Sequence, residues 1–218
     1  MRRTALIMAG CLMSLTFATA AEADTTPLGN TQLLASAASA KTCSAPLIEK
    51  PFTRFGDQRD YVMAPDGSFE DAVLSGWQLS GSARRVTEAD PVDLGASDGA
   101  GMLSLAARAT AISPTMCVDL NYPTFRVLTK AVGRADSSEF KIEVVYPDSA
   151  KPTWEELSKF DGKQFTNAGL GWRLTNDMDM KADLGGKSAG FRRVAFRFTA
   201  LTGTWRVDDL YVDPRRRI

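Results

Sequence analysis

Between Glu139 and Tyr146 the chain reads EFKIEVVY. Phe140, Ile142, Val144 and Tyr146 fall on one side of an extended backbone, and Lys141, Glu143 and Val145 on the other. A period of two is the signature of a half-buried strand, because successive side chains leave a pleated backbone on opposite faces. Phe191 to Phe198 repeats the pattern, with Val194, Phe196 and Phe198 set against Arg193, Arg197 and Thr199. Thr124 to Val132 and Trp205 to Val212 are further strands, and shorter runs occur at Gly76 to Leu79, Ala83 to Val86, Met102 to Leu105, Ile112 to Val118 and Trp172 to Leu174. Clusters of Gly, Asp, Ser and Pro separate them. About ten short strands with no long helix predict an all-β chain folded as an antiparallel β-sandwich. No repeat of propeller or solenoid length is present.

Two stretches read less simply. Thr153 to Phe160 offers a helical capping box in Thr153-x-x-Glu156, yet its flanking turns suit a strand equally, so helix and strand both stand. Asn176 to Gly190 reads as a long loop. Asp66 to Trp77 (DGSFEDAVLSGW) sets a short strand over Ser68, Phe69 and Glu70 after an Asp-Gly turn, and Gly76 to Leu79 begins the next, with Trp77 and Leu79 on one face.

The N-terminus sets the compartment. Met1-Arg2-Arg3 precedes an apolar run from Ala5 to Phe17 that is short for a bilayer span and ends in small residues at Ala18-Thr19-Ala20 and Ala21-Glu22-Ala23. Residues 1–23 are therefore expected to be a secretory signal peptide, with a lipobox at Met8 to Cys11 as the competing reading. Residues 24–42, rich in Ala, Thr and Ser, form a flexible leader, and 43–218 a single domain. The expected location is secreted, periplasmic or extracellular, with no transmembrane segment. Cys11 leaves with the signal, and Cys43 and Cys117 remain. In an oxidising compartment two remaining cysteines are most simply a disulfide. Closing a loop of roughly 70 residues, it would contribute on the order of 4 kcal/mol.

Composition removes several function classes. With no histidine, the Ser-His-Asp and Cys-His sets, imidazole zinc sites and the usual neutral-pH base are absent. Twenty-six basic residues balance twenty-six acidic ones, so no overall field draws in nucleic acid. Arg84-Arg85, Arg192-Arg193 and Arg215 to Arg217 are too scattered to make a nucleic-acid patch.

Two pieces at opposite ends of the domain carry a resemblance. Asp66 to Gly81 (DGSFEDAVLSGWQLSG) resembles the opening signature of the galactose-binding-like jelly rolls, a group that includes many bacterial carbohydrate-binding modules. Trp205 to Val212 (WRVDDLYV) resembles their closing strand, which lies beside the opening one. The chain also looks like a group of secreted bacterial proteins of this fold. The shared features are Cys43 with Pro51-Phe52, Ser113 to Val118 with Pro123 to Arg126, and Val194 to Thr199 leading into Trp205.

The resemblance implies a jelly-roll sandwich and, in the related modules, a structural calcium joining the first strand to the last. Carried over, the metal ligands are Glu70 and Asp208, with Asp209 as the substitute. Against this, the same acids can be surface charges or partners of a nearby arginine. As a glycosidase pair they lack a cleft between them, so no catalytic residue and no enzyme activity is expected. Trp77 and Trp205 belong to the core. Trp154, Tyr122 and Phe160 lie in loops or uncertain elements, where an aromatic can stack on a sugar ring but more often covers the core edge. The expected function is a secreted, non-catalytic module binding a glycan or another cell-envelope component. The alternative is an extracellular structural or adhesion domain that binds protein.

Overall fold

The computed structural model describes residues 47–213, except 90–91, 93, 95–98, 120–123, 134–136, 150–151, 163–170 and 181–190. The segments expected to be a signal peptide and a leader, together with Cys43 and Tyr122, lie outside the described residues. After a 3-10 turn at Thr53–Phe55, thirteen strands follow among the described residues: β1 (Val62–Met63), β2 (Gln78–Ser80), β3 (Arg84–Thr87), β4 (Gly101–Leu105), β5 (Thr110–Ile112), β6 (Met116–Asp119), β7 (Thr124–Val132), β8 (Glu139–Val145), β9 (Glu155–Asp161), β10 (Trp172–Leu174), β11 (Met178–Asp179), β12 (Phe191–Thr202) and β13 (Thr204–Asp213).

The strands form two antiparallel sheets. The first runs β10-β7-β13-β4-β3, with β1 added to β13 and β11 to β7. The second runs β2-β5-β12-β8-β9, with β6 added to β12. The chain crosses from one sheet to the other repeatedly, and the two sheets enclose one apolar layer, as expected of a β-sandwich. Phe140, Ile142 and Val144 of β8, Val194, Phe196 and Phe198 of β12, Phe125 and Val127 of β7, and Trp205 and Val207 of β13 all enter that layer. The alternation in the sequence is therefore the inside and outside of the sandwich. Phe140 links the two sheets, stacking on Phe198 at 5.9 Å and on Trp205 at 5.1 Å.

Several sequence expectations need correction. Ser68 to Glu70 is not a strand: residues 65–68 are a turn, and Phe69 has a left-handed φ of 55°. A bulky residue takes that conformation only where its surroundings over-determine it. Here Phe69 is fully buried, its ring lies 4.9 Å from that of Trp77, and the Trp77 indole N–H donates to the Pro65 carbonyl at 3.2 Å. Trp77 precedes β2 rather than joining it, and Leu79 stays partly exposed. Ile112 to Val118 is two strands of one sheet, β5 and β6, each paired with a different part of β12. Thr153 to Phe160 resolves as strand β9, because a strand satisfies the outer edge of β8 whereas a helix would leave that edge unpaired.

The paired acids of WRVDDLYV mark a bulge. Between Asp208 and Tyr211 the register of β13 against β7 shifts, and Asp209 is left-handed with φ 51°. An inserted residue reverses the in–out phase. Trp205 and Val207 point inward before the bulge, and Leu210 and Val212 point inward after it. Tyr211 is thereby delivered to the outer face of the first sheet, where it packs with Phe52 and Tyr61.

Candidate functional site

The two outer faces differ in what lies over them. On the first sheet, the segment from Leu47 to Met63 folds across the strands. Phe52, Tyr61 and Tyr211 meet edge to face, with centroids 4.7 Å apart for Phe52–Tyr61 and 5.3 Å for Phe52–Tyr211. Beside them Asp57 accepts hydrogen bonds from Arg59 at 2.6 Å, Tyr61 Oη at 2.6 Å and Arg126 at 2.9 Å. Arg59 continues to Asp177 and Asp213. The Arg59 hydrogen bond is the main reason the Asp57 carboxyl is held far below its usual range, with burial opposing the shift. Burial, with the Asp57 bond second, pushes the Tyr61 phenol upward. The segment thereby covers this part of the face.

The outer face of the second sheet carries a shallow groove of about 140 Å³, lined by Gln78, Ser80, Thr110, Lys141, Glu143, Arg197, Thr199 and Ile112. Strand alternation places every one of them outward. β12 and β8 set Arg197 directly opposite Glu143, and the guanidinium grips the carboxylate with two bonds, Nε at 2.6 Å and Nη2 at 2.7 Å. Lys141 Nζ donates to the same carboxylate at 3.0 Å. Burial pushes the Glu143 carboxyl up, but the bonds from Arg197 and Lys141 outweigh it, and the group lies below its ordinary value.

Trp154, just before β9, stands beside this network. The Arg197 guanidinium lies 4.4 Å from the centre of its ring. The ring also packs on Ile112, Val145 and Ala195. The outer face thus joins a small apolar patch with one aromatic to a row of amide, hydroxyl, ammonium and guanidinium groups. Among the lining residues Glu143 is the sole acid.

The remaining sequence candidates fall elsewhere. Phe160 stacks on Phe140 at 6.4 Å and packs against the core edge. Cys117 lies on β6, half-buried, and is not a free thiol. Glu70 lies against the start of β4, where both its carboxylate oxygens accept the Gly101 N–H, at 2.9 and 3.2 Å. Asp208 and Asp209 are buried at the β13 bulge, and Asp208 Oδ1 accepts the Asp209 N–H at 2.9 Å. The opening stretch and the closing strand do meet, but through backbone. Ala64 N–H donates to the Leu210 carbonyl at 2.9 Å, and Leu210 N–H to the Gly67 carbonyl at 3.0 Å.

A calcium ion needs six to eight converging oxygens. The oxygens around Glu70 already accept hydrogen bonds. Arg85 Nε takes the Phe69 carbonyl at 2.6 Å, and Arg85 Nη2 takes the Glu70 carbonyl at 2.9 Å. Among the described residues no three acidic, cysteine or histidine side chains converge as a metal set. The arrangement around Glu70 does not fit calcium.

Sequence reasoning passed over the groove. Lys141, Glu143 and Arg197 read only as the solvent side of two strands. Their cross-strand register, which puts Arg197 against Glu143, is a property of the pairing. Trp154 was singled out, but its neighbours could not be named.

No protein-family model matches the chain, and no curated protein matches it either. Among solved structures it is similar to several carbohydrate-binding modules. TmCBM61, solved with β-1,4-galactotriose, shares 18% identity over 67% of this chain and 94% of its own, with a TM-score of 0.41. CBM28, described as specific for non-crystalline cellulose, shares 12% identity over 69% of this chain and 95% of its own, at a TM-score of 0.47. The CBM22-1 xylan-binding domain of Paenibacillus barcinonensis Xyn10C shares 12% identity over 72% and 99%, at 0.44. With TM-scores below 0.5, none of these likenesses bears on what this chain does. The β-sandwich assignment rests on the two sheets themselves.

Proposed function

We propose that this protein is an exported, non-catalytic module that binds a glycan chain along the outer face of its second sheet. One observation carries the reading. On the face that no chain segment seals among the described residues, Trp154 stands next to a polar row whose central charges are already locked to one another. Sugars present apolar C–H faces and hydroxyls that both donate and accept. An aromatic ring beside fixed amide, hydroxyl and guanidinium groups suits both features. Because Arg197 is held by Glu143 and packs on Trp154, little side-chain freedom is lost when a ligand arrives.

The state of Glu143 supports binding without chemistry. A glycosidase acid needs a raised pKa and a second carboxylate across the cleft, whereas Glu143 is held ionised and no other acid lines the groove. Export by the segment 1–23 and a disulfide between Cys43 and Cys117 belong to the same reading. Among the described residues no helix is long and apolar enough to cross a membrane.

The test is affinity electrophoresis and calorimetry of the mature chain on galactan, xylan, non-crystalline cellulose and isolated cell wall. Retention on at least one, weakened about tenfold in Trp154→Ala (~1.4 kcal/mol) with the melting curve still cooperative, is the expected result. A chain that passes unretarded through all four overturns the proposal.

A further inference from the structure

Arg85 sits on β3 with its guanidinium turned toward the opening stretch. Two carbonyls of that stretch accept from it, and a carboxylate lies at ion-pair distance. Its Nε takes the Phe69 carbonyl at 2.6 Å and its Nη2 the Glu70 carbonyl at 2.9 Å, while Nη2 lies 4.0 Å from Glu70 Oε2. Its third nitrogen, Nη1, is anchored on Thr87 Oγ1 at 3.2 Å. Two consecutive carbonyls and the carboxylate of the second residue thus meet at one positive group. The left-handed φ of Phe69 belongs to the turn that presents those two carbonyls together.

The surroundings leave room for this group and little else. A Cβ on Gly101 would lie 2.3 Å from the Phe69 carbonyl oxygen and 2.6 Å from Arg85 Nη2, and one on Gly99 would lie 2.3 Å from Glu70 Oε2. Both glycines let β4 and its approach close onto the Glu70 carboxylate, which then accepts the Gly101 N–H. Two backbone carbonyls plus a carboxylate is the chemistry of a hard divalent cation. It is equally the chemistry of a planar guanidinium with five donors and a permanent charge.

We propose that the Arg85 guanidinium does the work of a divalent cation at this point, tying the opening stretch to β3 and β4 so that the fold needs no calcium. The positive charge arrives on the chain itself, and the tie is therefore independent of metal concentration. The inference concerns Glu70 and its neighbours only, and is separate from the groove.

Thermal melts of the mature protein, in millimolar calcium and in EDTA, test it. The wild-type melting temperature is expected to be the same in both. Arg85→Ala is expected to melt roughly 5 °C lower, as for the loss of two charge-assisted bonds in a chain of this size. Arg85→Lys, which keeps the charge but cannot reach both carbonyls in one plane, is expected to recover less than half of that loss. It also serves if the alanine variant does not fold. A wild-type melting temperature that rises by several degrees with calcium, or an Arg85→Ala protein as stable as the wild type, overturns the proposal. Glycan retention unchanged in Arg85→Lys separates this outcome from failure of the groove reading.

Discussion

Both outer faces of the sandwich hold a carboxylate gripped by arginine, and the two grips serve different ends. On the first sheet, Asp57 collects Arg59, Arg126 and Tyr61, and Phe52 closes over the group with the Arg126 guanidinium 5.3 Å from its ring. Asp57 and Arg59 belong to the same segment that lies across the sheet, so the network fastens that segment down. On the second sheet, Glu143 and Arg197 both belong to the sheet itself and fasten nothing across it. Trp154 stands beside them, and among the described residues no covering segment is fastened over the groove. An arginine–carboxylate pair is structural where it joins a covering segment to a sheet. Under the glycan-binding proposal, the pair that meets the ligand is the one whose two partners are both strand residues.

The largest effect that separates the faces should come from Asp57→Ala. It strips three donors of a shared, mostly buried acceptor, and removing one member of such a network costs about 3–5 kcal/mol. Urea denaturation should show that loss while glycan retention of the folded fraction stays unchanged. Loss of retention in the folded protein would mean that the covered face takes part in binding. The converse change, Arg197→Ala, leaves Glu143 with Lys141 alone. Glu143 is itself buried but keeps the Lys141 bond, so a smaller cost is expected, about 2 kcal/mol, with retention reduced at least as much as in Trp154→Ala. Full retention would break the contrast between a structural grip and a functional one.

Acid offers the finest comparison. Asp57 and Glu143 are both held below their ordinary values of 3.8 and 4.5. A carboxyl depressed by folding stabilises the protein at pH above the unfolded value and loses that contribution as pH falls toward the folded one. Each group therefore costs about 1.4 kcal/mol per pH unit wherever the unfolded chain holds its proton and the folded chain does not. The urea midpoint should hold steady above about pH 5 and drop below pH 4. Asp57→Asn should flatten that drop more than Glu143→Gln, since more donors converge on Asp57. Equal slopes would show that the two networks hold their carboxylates alike.

The sandwich was legible because its strands are two-sided. Phe140, Ile142 and Val144 had to face away from Lys141 and Glu143, and the same held along β12. What alternation could not supply was phase across an irregularity. The acids at 208 and 209, metal ligands by resemblance, also mark the bulge that turns Tyr211 outward, and no alternation in the sequence shows it. Phe69 looked like a strand residue, but its left-handed backbone depends on Trp77, Pro65 and Arg85, partners from 4 to 16 positions away. Of the two alternatives to a metal at Glu70, surface charge or arginine partner, the structure shows an arginine, Arg85, at 4.0 Å from its carboxylate. The groove was hidden for the same reason. Arg197 and Glu143 are 54 residues apart and become neighbours only through the register of β12 on β8.

The order of strands along the chain has a consequence for how this protein comes into being. β13 lies between β7 and β4 and also receives β1, while β12 lies between β5 and β8 and also receives β6. The middle strand of each sheet is therefore made after every strand it must join. Until residue 191 is reached, the nascent chain holds two half-sheets with bare edges facing an empty slot, a state prone to pairing with the wrong partner. A fragment that stops before that point lacks the keystone of both layers at once, so this sandwich has no stable half.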